Sequence, residues 1–115
     1  RIGYVASEIT KNGGVAICAP IAPFQDSRQF NRALINQYGT YIQVYVSTPL
    51  SECERRDVKG LYAKARSGVL KGFTGIDDPF EEPKSSELNI DTTNISPEQA
   101  VQEVMLYLEQ KGLVK

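Results

Sequence analysis

One period-2 run constrains this chain more than any other feature. Ile42, Val44 and Val46 alternate with Gln43 and Tyr45, which predicts a strand over Tyr41–Ser47. The stretches around it have the other period. Ile2, Val5, Ala6 and Ile9 recur at helical spacing until Asn12-Gly13-Gly14 stops them. Phe30, Leu34 and Ile35 share one face of a second helix, which Asp26 or Ser27 can cap and which runs to about Tyr38. Thr48-Pro49 opens a third helix, proline suiting its first turn. Val15–Ala19, an apolar run after glycine, suits a buried parallel strand, and Leu88–Ile90 suits a further short strand. Ser96-Pro97-Glu98 starts the last helix, with Ser96 as cap and Pro97 in the first position. Val101, Val104, Met105 and Leu108 form its apolar face.

Helix and strand therefore alternate, which argues for an α/β layer structure with a parallel sheet. Three strands are few for a sheet covered on both faces, and no cap precedes Ile2. The expectation is that sequence upstream belongs to the same domain. A chain of 115 residues suffices for one small domain. Its net charge of −1 excludes a strong general field for nucleic acid or an anionic membrane. No apolar run approaches the roughly 20 residues of a membrane span, and no signal-peptide pattern opens the sequence. Cys18 falls in a predicted buried strand and Cys53 in a predicted helix, in a pattern that suggests neither a disulfide framework nor a metal site. The expectation is a reduced, cytoplasmic protein. With no histidine in the chain, a Ser-His-Asp or Cys-His catalyst cannot be assembled from these residues.

Arg56 to Phe80, RDVKGLYAKARSGVLKGFTGIDDPF, keeps neither period for long. Lys59, Lys64, Arg66 and Lys71 precede an aromatic, Phe73, set between Gly72 and Gly75, and the acids Asp77, Asp78, Glu81 and Glu82 follow. The segment reads as a mobile loop that grips something flat and anionic, such as a nucleotide. Adjacent acids on a loop seldom converge on a metal, so Asp77 and Asp78 are expected to hydrogen-bond within the loop, or to pair with Lys71 or Arg66. Tyr41, Tyr45, Met105 and Tyr107 are expected to pack against the sheet and helices. The phosphate-cradling pattern G-x-x-x-x-G-K-[ST] is absent, and Gly13-Gly14 is a turn.

KGLY at 59–62, K-A-R-x-G at 64–68 and KGFTGIDDP at 71–79 resemble the signature of the adenylyl-sulfate kinases. These enzymes use ATP to phosphorylate the 3′-hydroxyl of adenosine 5′-phosphosulfate (APS). The resemblance runs from RIGYVASEI to the C-terminal helix and implies a three-layer, P-loop-kinase-like parallel sheet with flanking helices. It also implies that the phosphate loop and an acidic segment lie before residue 1. Residues 1–115 would then be the C-terminal portion of one kinase domain, with a lid over about 56–83, inactive by itself. No catalytic residue is identified in the chain. ATP and Mg²⁺ are the implied cofactors, the cation held mainly by residues outside the chain. A homodimer and a fused ATP sulfurylase are further partners that the resemblance suggests.

Residue by residue, the resemblance gives Lys59 to the adenylyl sulfate, where a flexible ammonium suits an anion that moves during closure. The alternative for Lys59 is a solvated surface lysine. Phe73 corresponds to the ring that stacks on the substrate adenine, with Gly72 admitting backbone close to the ligand; the alternative is a loop aromatic tucked into the core. Arg56 corresponds to an arginine over the ATP adenine, with Ile95 forming the other side of that base. Ile21-Ala22-Pro23-Phe24 matches a pocket segment usually written Ile-Ser-Pro-Tyr. Ala22 departs from it, which excludes any mechanism needing a phosphoserine there, and Gln25 stands where arginine is frequent. Arg28 matches a later arginine of the motif and is open to three roles: holding the loop, facing the sulfate, or standing on the surface at a helix start. Two functions remain in view. One is a kinase making 3′-phosphoadenosine 5′-phosphosulfate. The other is a non-catalytic module that senses this nucleotide and regulates a fused sulfurylase.

Overall fold

A computed structural model describes residues 1–114. The order of elements is α1 (Ile2–Lys11), α2 (Gln25–Asn36), β1 (Val44–Val46), α3 (Leu50–Arg56), α4 (Leu61–Arg66), β2 (Leu88–Ile90) and α5 (Pro97–Gln110). The two strands pair in parallel, Val44 with Leu88, Tyr45 with Asn89 and Val46 with Ile90. Parallel neighbours need a long crossover, and here it contains α3, α4 and the whole glycine-punctuated segment. The fold is thus α/β with a parallel ladder. Among the described residues no helix is long and apolar enough to cross a membrane.

α1 and α2 pack on each other through small residues. Gly3, Ala6 and Ser7 are the buried positions of α1, and a Cβ at Gly3 would collide with the Asn31 side chain. Tyr4 meets Phe30 edge to face beside this contact, their centroids 6.0 Å apart. The N-cap of α2 lies two residues before Asp26 and three before Ser27. Phe24 is its N-cap in an extended conformation, and neither Asp26 nor Ser27 caps it. Asp26 instead lies in the first turn, where a carboxylate complements the helix dipole.

The Val15–Ala19 strand is not formed. Those residues carry no regular secondary structure and no ladder partner; Val15 is 84% exposed, Ile17 94%, and Cys18 is exposed too. The sheet has two strands rather than three. Apolar β-formers supply the capacity to pair, but a buried parallel strand also needs a neighbour, and β1 is paired only with β2. β1 is also shorter than the alternation suggested, because Tyr41 to Gln43 precede the paired stretch. Ile35, Ile90, Ala6 and Ala65 are the buried hydrophobic residues among those described. The radius of gyration, 16.0 Å, exceeds the roughly 13 Å of a compact domain of this length. Met105 and Val101 on α5 are exposed rather than packed, while Val104, Tyr107 and Leu108 are half-buried.

α5 starts as expected. The Ser96 hydroxyl accepts from the Gln99 amide at 3.1 Å, the Gln99 side chain accepts from the Ser96 amide at 2.8 Å, and Pro97 fills the first turn. This reciprocal cap satisfies two donors that the helix itself cannot. Ser96→Ala should lower the free energy of urea unfolding by about 1 kcal/mol, and an unchanged value would mean that the cap contributes nothing.

Candidate functional site

The crossover is organised by aspartates that bind backbone. Asp57, in the left-handed region at φ 30°, turns the chain from α3 into α4. Its two carboxylate oxygens accept from the Tyr62 and Ala63 amides at 2.9 and 3.0 Å. Lys59 sits exposed in the turn so formed, and among the described residues no ion pair or hydrogen bond engages its ammonium. Arg66 leaves α4 to pair with Glu54 at 2.7 Å, so α3 and α4 are also held across the turn by charge. The expected pairing of Arg66 with Asp77 or Asp78 is not made. Glu54 takes Arg66 instead, across the turn that Asp57 closes, while Asp77 is spent on backbone amides.

Asp77 closes the next loop. Its oxygens accept from the Gly72 amide at 2.7 Å and the Phe73 amide at 2.5 Å, as the loop-internal reading of the acids anticipated. These donors, Gly72 first and Phe73 next, hold its carboxyl below the usual aspartate range. Both oxygens are therefore spent on backbone rather than on a cation. Gly72 and Gly75 have φ of 67° and 89°, a region open to glycine at no steric cost. Phe73 is presented between them, half-buried, meeting Tyr62 edge to face with centroids 5.1 Å apart.

The far end of this segment is fastened to the loop before α2. The Glu81 amide donates to the Pro23 carbonyl at 2.8 Å, and the Gln25 amide donates to the Glu81 carboxylate at 3.3 Å. Phe80 stacks on Tyr45 of β1, with Arg28 over its ring at 5.8 Å. Arg28 is buried and donates to the Ala22 and Glu81 carbonyls, both at 2.6 Å, and to the Gln25 side chain at 2.8 Å. These bonds are those of a residue that holds the loop, and its burial takes it off the surface. Ala22 itself lies at φ 46°, a left-handed conformation unusual for a residue with a Cβ. Ile21 and Phe24 flank it, both exposed, and Pro23 is half-buried.

A third junction joins the C-terminus of α3 to the loop after β2. The Arg56 guanidinium donates to the Thr92 hydroxyl at 2.9 Å, to the Thr92 carbonyl at 2.7 Å and to Glu52 at 3.0 Å. Those bonds lie in its plane and leave its faces available for stacking. Ile95, half-buried, follows in the same loop. Glu52 also receives Arg55 at 2.6 Å, and these hydrogen bonds, Arg55's foremost, bring its carboxyl down to about 2. Sequence reading did not anticipate the roles of Asp57, Thr92 and Glu81. Only Asp57, an aspartate three residues before a glycine, carried a turn signal.

The structure thus brings Ala22, Pro23, Phe24 and Arg28 together with the end of the crossover, and Arg56 together with the loop of Ile95. Gly72, Phe73 and Lys59 stand on the crossover itself. Among the described residues no three metal-ligating side chains gather.

A sequence profile of the family described as adenylylsulphate kinase matches residues 1–91. A sulfate adenylyltransferase of Phaeosphaeria nodorum is 50% identical over 114 residues, which are 99% of this chain and 20% of that protein. One from Aspergillus oryzae is 48% identical over 112 residues, again with 20% of its length covered. Among solved structures, the Mycobacterium tuberculosis APS kinase in complex with AMPPNP and APS superposes with a TM-score of 0.84 at 38% identity. The match covers 93% of this chain and 62% of that one. A hexameric APS kinase from Thiobacillus denitrificans gives a TM-score of 0.71, also at 38% identity, over 99% of this chain and 17% of that one.

Asp77→Asn leaves one acceptor oxygen where two amides now donate. Hydrogen exchange at the Gly72 or Phe73 amide should quicken about tenfold, the effect of one lost charge-assisted bond. In the unsubstituted protein the tether is complete above the ordinary aspartate value of about 3.9 and is lost as pH falls through the lowered folded value. Exchange that is indifferent both to the substitution and to acid would remove Asp77 from this role.

Proposed function

Because the chain belongs to the adenylylsulphate kinase family, we propose that residues 1–115 form the C-terminal portion of one such kinase domain, with residues 56–83 as its lid. In the whole protein that domain transfers the γ-phosphoryl group of ATP to the 3′-hydroxyl of APS. The products are ADP and 3′-phosphoadenosine 5′-phosphosulfate, and the hydroxyl proton is released. The observation that carries this reading is the lid loop itself. An aspartate-clamped turn between two left-handed glycines presents Phe73, on a crossover whose end is bonded to the loop 21–24.

Each residue then has a physical task. Ile21, Ala22, Pro23 and Phe24 form the wall of the sulfonucleotide pocket. Phe73 offers a flat face to the adenine, and Gly72 lets backbone approach it without a side chain in the way. Lys59 brings an unpaired ammonium to the phosphosulfate. Arg56, its plane fixed by Thr92 and Glu52, covers the adenine of ATP with Ile95 opposite. Phosphoryl transfer depends on positioning and charge rather than on covalent chemistry by the protein, so a chain of binding groups is a sufficient share of such a site. Mg²⁺, when bound with ATP, offsets the charge of the phosphates. A fused sulfate adenylyltransferase and a second copy of the chain complete the partners in this reading.

Two observations favour a second reading, in which the domain senses the phosphorylated nucleotide and regulates a fused sulfurylase. Ala22 and Gln25 replace a serine and an arginine that would face the pocket, and Gln25 is occupied with Arg28. In addition, the chain spans 20% of relatives that bear the name sulfate adenylyltransferase. A full-length protein that binds 3′-phosphoadenosine 5′-phosphosulfate and changes its sulfurylase rate, while transferring no phosphate from ATP, decides for the sensor.

With the full-length protein, Lys59→Ala should reduce kcat/KM for APS about tenfold or more, as expected for a lost charge-assisted contact, with no change in Tm. Phe73→Ala should raise the KM for APS by a factor matching a stacking contribution of ~1–3 kcal/mol. If both variants turn over as the unsubstituted protein does, the lid is not the binding element.

A further inference from the structure

Arg28 is the buried charged side chain of the described residues, 5% exposed. Its identified acceptors are uncharged groups: two main-chain carbonyls and one side-chain amide. No carboxylate among the described residues forms an ion pair with it. A guanidinium is costly to bury without a counter-ion unless its donors are satisfied. Here Nη1 and Nη2 donate to Gln25 and to two pieces of chain far apart in sequence, Ala22 and Glu81, while Nε is buried without a partner.

The Ala22 end of this bridge is a strained residue. At φ 46° alanine occupies a region that persists only where the surroundings over-determine it. The surroundings do so peptide by peptide. The Ala22 carbonyl accepts from Arg28, the Pro23 carbonyl from the Glu81 amide and the Phe24 carbonyl from the Arg28 amide. The Gln25 amide donates to the Glu81 side chain. Glu81 stands at the end of the proposed lid, next to Phe80, which is stacked on Tyr45 of β1. One planar fork therefore fixes both the turn at Ala22 and the point where the lid meets the body.

We infer that Arg28 is a positioning residue that locks Ala22 in its left-handed turn and latches loop 21–24 to the lid at Glu81. Pocket shape and lid attachment are then set together by one side chain that reaches the ligand only through the backbone it holds. The latch stands on the geometry alone. Its effect on nucleotide affinity rests on the proposed reading of loop 21–24 as the pocket wall.

The test uses the full-length protein with Arg28→Lys, which keeps the charge but loses the planar fork, and the double variant Arg28→Lys with Ala22→Gly. Amide hydrogen exchange at Glu81 and Gln25 and calorimetric binding of APS are measured on each. Arg28→Lys should speed both amides about tenfold and raise the Kd for APS about tenfold, the scale of one lost charge-assisted bond. Adding Ala22→Gly should recover most of that Kd, since glycine holds a positive φ unaided, while the Glu81 amide stays fast. Unchanged exchange overturns the latch, and a raised Kd that glycine does not rescue overturns the lock on Ala22. If the unsubstituted protein does not bind APS, the pocket reading fails, and the two amides alone decide the latch. Should Arg28→Lys not fold, Arg28→Gln, which retains one amide donor, takes its place with the same readouts.

Discussion

The parallel pairing of residues 44–46 with 88–90 is the constraint on which the rest of this structure depends. An antiparallel pair could have been closed by a tight turn, whereas a parallel one obliges the chain to travel back the length of the strand. Residues 47 to 87 make that journey and include the proposed lid. Loop-closure cost grows only slowly with length, so the crossover can be long and glycine-rich at little expense. The ladder fixes where it leaves and returns. Ser47 donating to the Ile90 carbonyl at 2.9 Å and Leu88 donating to the Gln43 carbonyl at 3.2 Å extend the ladder at its two ends.

Within that crossover, charge is used locally. Glu52 holds Arg55 and Arg56, Glu54 holds Arg66, and Asp57 and Asp77 bind backbone amides. These pairs are exposed, so their worth lies less in stability than in fixing which side chains remain unengaged. Lys59, Lys64 and Lys71 remain outside these pairs. A chain with a net charge of −1 thereby keeps a positive stretch in the one segment that the functional reading requires to meet an anion.

How much of this was legible in the sequence differs element by element. Leu88–Ile90 and the Ser96-Pro97 start of α5 were, since an apolar–polar–apolar alternation and a reciprocal cap are local properties written in nearby residues. So was the inward use of Asp77, because an acid in a glycine-punctuated loop has backbone donors within reach. Val15–Ala19 was misjudged: its composition announces a capacity to pair, and a neighbour is a property of another segment. Arg28 had to remain open for the same reason. Its partners are main-chain carbonyls, and a carbonyl at Ala22 or Glu81 has no signature in the residue that carries it. The adenine-facing assignment of Arg56 came from resemblance, but its anchoring through Thr92 joins positions whose proximity only the ladder creates.

The unpaired stretch at Val15–Ala19 has a practical corollary. Its backbone groups face no strand, its apolar side chains face water, and no proline interrupts it. Unshielded edges of this composition are templates for pairing with identical neighbours. A preparation of this polypeptide by itself is therefore expected to become turbid or to oligomerise as it is concentrated, through these five residues, while its helices stay intact.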